Sequence, residues 1–144
     1  MSFQWLDLRI TEEQDRRRRE AEIMRRLPRA LDEVHKALAS CIEAYTLAFG
    51  AEAAELQRHG SSIRVMLREE KDGNWQQRAK VEVSSDTSLP GFQIDRGGEL
   101  LGIEVGILPT DKLYYRDREQ DQYVSMEELT RRILDRACFP KLGE

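Results

Sequence analysis

The sequence predicts an α+β fold: a long, kinked, amphipathic N-terminal helix packed on an antiparallel β-meander of five to six strands, closed by a short C-terminal helix. Three observations predict it. Apolar residues recur at steps of three and four from Met24 to Ala48, the period recorded by one helical face. Beyond Gly60 the period changes to two. Finally, Ser125-x-x-Glu128 stands ahead of Leu129, Ile133 and Leu134, which is the signature of a capped helix start. The chain of 144 residues fits one domain spanning 1–144.

The N-terminal segment falls into two parts. Phe3, Trp5, Leu6, Leu8 and Ile10 read as an extra strand or an extended arm, after which Thr11 opens a helix through a T-x-x-Q box with Gln14. Glu12 to Glu20 contains no apolar residue, so residues 1–22 read as a charged arm that no core can hold. From there Met24, Leu27, Leu31, Val34, Leu38, Cys41, Tyr45 and Ala48 form the stripe, which Ile23, Ala30, Ala37, Ile42 and Phe49 widen. Such width suits a helix buried against a sheet or in a multi-helix interface better than a narrow coiled-coil seam, with a dimer seam sharing part of the same face. Pro28 lacks an N–H and costs about 3 kcal/mol in a helix interior, so it either kinks or splits the helix. The apolar phase runs through it without a slip, which favours the kink. As one helix, residues 12–49 would reach about 57 Å, well beyond a compact body of this length.

Gly50 breaks the helix, and Ala51 to His59 reads as a further short helix capped by Gly60, so that the helical region spans 23–59. The sheet then occupies 62–124. Ile63, Val65 and Leu67 alternate with Arg64, Met66 and Arg68. Asp72-Gly73 is a hairpin turn, because this dipeptide tolerates the positive φ such turns need. Trp75, Ala79, Val81 and Val83 lie on the return strand, and Ser84 to Gly91 is a polar loop. Phe92 to Asp95, Leu101 to Ile107, Leu113 to Arg116 and Gln122 to Val124 complete the meander. The last helix covers 125–138 and stops before Pro140.

Composition narrows the function classes. Apolar residues make up 40% and charged residues 35% of the chain, no run is long enough to span a membrane, and the N-terminus lacks a signal-peptide pattern. With only Cys41 and Cys138, far apart, the expected state is two free thiols in a cytoplasmic protein. The net charge of −4 divides unevenly, at +2 over residues 1–29 and −6 over the rest.

Several groupings invite chemistry. Arg16, Arg17, Arg18 and Arg19, with Arg25 and Arg26, could contact phosphates. However, Glu12, Glu13, Asp15 and Glu22 each precede an Arg by four residues, the favoured orientation for helical ion pairs, so a self-paired arm is the stronger reading and nucleic acid the weaker. Asp117 to Glu128 loosely follows a calcium-loop spacing, but Gln122 stands where glycine is required. His35 and His59 have no matching Cys or carboxylate spacing for a catalytic dyad or a zinc site. Nothing in the sequence implies a cofactor or a metal.

The remaining feature lies on the Leu101–Ile107 strand, where Gly102, Glu104 and Gly106 share the face opposite the apolar one. Glycine inside a strand marks bending or close approach. A ligand groove there would hold Glu104, with Tyr114, Tyr115 and Trp75 as further contacts. The leading expectation is a non-enzymatic interaction or structural module that self-associates as a homodimer or binds another protein. A small-ligand domain or small enzyme using the groove is the alternative.

Overall fold

The structure, a computed structural model, describes residues 3–86, 88 and 90–142. The order is α1 (Gln4–Phe49), β1 (Ala54–His59), β2 (Ser62–Lys71), β3 (Asn74–Asp86), β4 (Gly91–Arg96), β5 (Glu99–Ile107), β6 (Leu113–Asp117), β7 (Gln122–Val124) and α2 (Met126–Cys138). The strands form one antiparallel sheet in sequence order. The α+β class and the meander are as the sequence predicts, with seven strands rather than five to six.

Helix α1 is a single element of 46 residues and continues through Pro28. At 1.5 Å per residue it is about 69 Å long. Two local expectations are corrected here. The segment 3–10 is helical, with Phe3 as the first cap, not a strand or extended arm. Thr11 lies inside the helix, where its hydroxyl donates to the Asp7 carbonyl at 3.1 Å. A strand needs a neighbour to take its backbone groups, whereas a helix satisfies its own. Among the described residues, this segment has no neighbouring strand.

Residues 54–59 are also corrected, from helix to strand. Their composition favours a helix, but pairing with β2 overrides that weak preference. Ala54 opposes Leu67, Leu56 opposes Val65, and Arg58 opposes Ile63. Gly60 therefore caps no helix; it turns β1 into β2 at φ +59. Asp72 and Gly73 both have positive φ, which confirms the hairpin. Strand β3 continues to Asp86, into the expected 84–91 loop, of which Thr87 and Leu89 lie outside the described residues.

One face of the sheet carries the core. Leu27, Ala30, Leu31, Val34, Leu38 and Ile42 of α1 pack there, with Leu129, Ile133 and Leu134 of α2. They cover Ile63, Val65, Leu67, Val81, Val83, Phe92, Ile94, Leu101, Ile103 and Val105. The stripe thus buries as its spacing predicts, except that its last turn, with Ala48 and Phe49, is exposed. Ser125 caps α2 by accepting from the Glu128 N–H at 3.1 Å. Among the described residues, no helix is long and apolar enough to cross a membrane.

Candidate functional site

Upstream of Ile23, α1 leaves the core. Glu12 to Arg19 are exposed except for half-buried Glu13. Glu13 accepts from Arg16 and Arg17, Arg16 also pairs Glu20, Arg18 pairs Asp15, and Glu22 holds Arg25 and Arg26. The self-pairing is real but its register mixes steps of three and four, and Glu12 pairs Arg9 rather than Arg16. Arg26 is the link to the body: it donates to the Asp111 carbonyl at 3.0 Å and to its carboxylate at 2.8 Å. The guanidiniums of Arg16 and then Arg17 pull the Glu13 carboxyl down to about 2. Arg25, followed by Arg26, lowers that of Glu22.

Where the arm passes the ends of β5 and β6, a cleft of about 500 Å³ opens. Arg16, Arg19, Glu20 and Ile23 form one wall; Glu104, Gly106, Tyr114, Arg116 and Arg118 are on the other. Two groups that the sequence leaves separate, the arm arginines and the glycine-flanked carboxylate, thus meet. Glu104 accepts from Arg116 Nε at 2.5 Å, and Arg116 also pairs Asp121. Arg118 reaches Asp86 at 3.4 Å and the Pro90 carbonyl at 3.3 Å. Among the described residues, Arg19 makes no ion pair, so it is the surplus donor of the cleft.

Of the two strand glycines, only Gly106 is sterically required. A Cβ on Gly106 would sit 2.1 Å from the Tyr114 ring, and one on Gly102 would be 3.4 Å from Arg118. Tyr114 of β6 and Arg118, one residue beyond its end, lie over these positions, so the face is filled locally rather than left bare. Burial, and then the neighbouring Glu104 carboxylate, push the Tyr114 phenol above its ordinary range. Tyr114 also meets Tyr123 edge-on, with centroids 5.2 Å apart.

Other expected groove residues lie elsewhere. Tyr115 points to the core face, stacks on Phe92 and donates to Glu33 at 3.4 Å. Successive strand residues face opposite sides, so it cannot share a groove with Tyr114. Trp75 lies at the start of β3, beside Gly50. Gly102 lies under Arg118, outside the cleft lining. Arg17, Arg18, Arg25 and Arg26 are likewise not in it.

The calcium-like segment does different work. Asp117 accepts from Arg132 at 2.5 Å and from the N–H groups of Glu119 and Gln120. His59 ends a strand, not a helix, and its ring lies 3.3 Å from the Gln57 side-chain oxygen. Cys138 is buried, and burial pushes its thiol up to about 11, far from nucleophilic at neutral pH. The cleft therefore combines four guanidiniums, of which Arg16, Arg116 and Arg118 are ion-paired, with the Glu20 and Glu104 carboxylates and one aromatic hydroxyl.

A second surface was missed by the sequence reading. Once 3–10 is helical, Phe3, Trp5, Leu6, Leu8 and Ile10 stand on the end of α1 at 53%, 66%, 41%, 60% and 46% exposure. At 3.6 residues per turn, the last four cover about 200° of the helix circumference. The signal was present in their apolar character, but their near-alternation resembled a strand. Comparison with known protein families, curated sequences and solved structures finds no match to this chain.

Proposed function

We propose that this chain is a non-enzymatic interaction module that self-associates through the first half of α1. The observation that carries the reading is the exposed apolar tip of the helix. Isolated exposed apolar residues are ordinary, but a cluster spread around a projecting helix is not, because such a helix is normally buried. The cluster stands at the end of an arm that makes no contribution to the core. Sedimentation velocity over about 1 to 100 µM tests it, the range of a moderate self-affinity. The expected result is a concentration-dependent dimer, abolished by the double variant Trp5→Glu and Leu8→Glu. A monomer throughout that range would overturn the reading.

One observation favours a second reading, a small-anion site in the cleft, namely Arg19, without an ion pair among the described residues, beside Arg16, Arg116 and Arg118. A thermal-shift screen of phosphorylated and carboxylated small molecules tests it. A hit that Arg19→Ala removes would support it, and no shift at millimolar ligand would end it.

A further inference from the structure

We propose that two copies of this chain pair through their α1 arms as an antiparallel helix pair, centred between Asp15 and Arg16. This rests on the self-association reading above and supplies its geometry.

Trp5, Leu8, Glu12, Asp15, Arg16, Arg19, Ile23 and Arg26 lie along one side of α1, at steps of three and four about a central Asp15-Arg16 pair. Read backwards, this stripe is its own complement. In a two-fold pair the same surface meets itself, and residue i of one copy meets j of the other while j meets i. About this centre Asp15 faces Arg16, Glu12 faces Arg19, Leu8 faces Ile23 and Trp5 faces Arg26. Every match joins opposite charges, two apolar groups, or an aromatic ring with a guanidinium, which attract one another. The flanks agree, with Glu13 opposite Arg18 and Arg9 opposite Glu22. A parallel pair in register would instead put Glu12 on Glu12 and Arg19 on Arg19. The order of charges therefore selects one direction and one register.

Trp5, Leu8, Glu12 and Arg19 are available in the structure, whereas Asp15, Arg16 and Arg26 would have to exchange their present partners and Ile23 is half-buried against the core. Leu8 and Trp5 are 60% and 66% exposed. Arg19 has no ion pair among the described residues, and Glu12 is tied only to an exposed Arg9 at the next turn. Exposed helical pairs of this kind are weak, so partners can be exchanged at little cost. Arg16, Arg19 and Ile23 also face the cleft beside β5 and β6. Leu8 and Ile23 are equally far from the centre, about 11 Å along the axis at 1.5 Å per residue. The tip of one copy is thereby brought to the cleft mouth of the other. A lipid surface is a poorer occupant, because Glu12, Glu13 and Asp15 interrupt the basic face that anionic headgroups would need.

Cross-linking tests the register. Within one chain, positions 8 and 23 are about 22 Å apart on a continuous helix, far beyond the reach of a disulfide. The double variant Leu8→Cys with Ile23→Cys should therefore give a covalent dimer on mild oxidation, and Leu8→Cys alone should not. A second measurement avoids the half-buried Ile23. Glu12→Arg, Glu13→Arg and Asp15→Arg in one chain, and Arg16→Glu, Arg17→Glu, Arg18→Glu and Arg19→Glu in another, should each sediment as monomers. Mixed, they should form a heterodimer of doubled mass. A wild-type dimer that cross-links through Leu8→Cys alone, or whose charge variants do not recombine, overturns this pairing while self-association stands. A wild-type monomer overturns both. A monomer that co-sediments with vesicles of phosphatidylserine and phosphatidylcholine overturns both in favour of a membrane.

Discussion

Asp117 is 2% exposed, yet its charge is fully used. One carboxylate oxygen meets Arg132 of α2, and the other caps the β6–β7 turn through the N–H groups of Glu119 and Gln120. Removing one partner of a buried pair costs more than the pair is worth, because the other charge is left stranded. Asp117→Ala should therefore lower the unfolding free energy by about 3 kcal/mol, read as a shifted urea midpoint at unchanged slope. Asp117→Asn keeps an oxygen for the turn and loses only the charge, so about half that loss is expected. Equal losses in the two variants would mean that the turn contributes nothing. Arg78 does comparable work at the far end of α2, donating to the Ala137 and Cys138 carbonyls and to Tyr45. A cation there suits the partial negative charge of a helix C-terminus.

Helix α1 behaves as two elements in one. From Ile23 to Tyr45 it is held by the body; before that it is held by its own ion pairs. The Glu13 carboxyl sits below its ordinary value because Arg16, and then Arg17, hydrogen-bond its charged form. A depressed folded-state value means that the contribution is complete above the ordinary 4.5 and is lost as pH falls toward about 2. An NMR titration of the side-chain carboxyl should thus find a midpoint well under that of a free glutamate. Because the pair is exposed, the midpoint should climb back in high salt. A normal, salt-independent midpoint would show that these pairs do not form in solution. The sequence made the buried half of this helix readable, since a three-and-four stripe needs only one face to be covered. It also made β2, β5, the Asp72-Gly73 turn and the Ser125 cap readable, each through local chemistry. It hid β1, whose Ala, Glu, Leu and Gln residues favour a helix until β2 offers an edge. It hid the helical tip, where Phe3 to Ile10 nearly alternate. The cleft was readable only in fragments: Glu104 and Gly106 stood out, as did the arginines. Their meeting depends on the path of α1 across the sheet, which no local pattern encodes.

The whole molecule separates what makes it stable from what it presents. Every buried apolar residue of α1 lies between Leu27 and Ile42, and the start of the helix presents Trp5, Leu6, Leu8 and Ile10 to solvent. Removing residues 1–19 takes away no buried side chain among the described residues, so at high dilution it should change the unfolding free energy by less than about 1 kcal/mol, the range of surface changes. Concentration should then distinguish the two chains. A partner that binds only the folded form stabilises it by mass action, so the melting temperature of the full chain should rise as its concentration rises. The shortened chain has lost the pairing surface and should melt at one temperature throughout. Amide exchange supplies the local counterpart, because an unpaired arm opens without unfolding the core whereas a paired one is protected. Exchange over residues 4–22 should slow with increasing concentration while that of β2 and β3 stays constant. If the arm exchanged equally fast at every concentration while the chain still dimerised, the contact would have to lie elsewhere, with the exposed Leu47 and Phe49 at the opposite end of α1 as the next surface to vary.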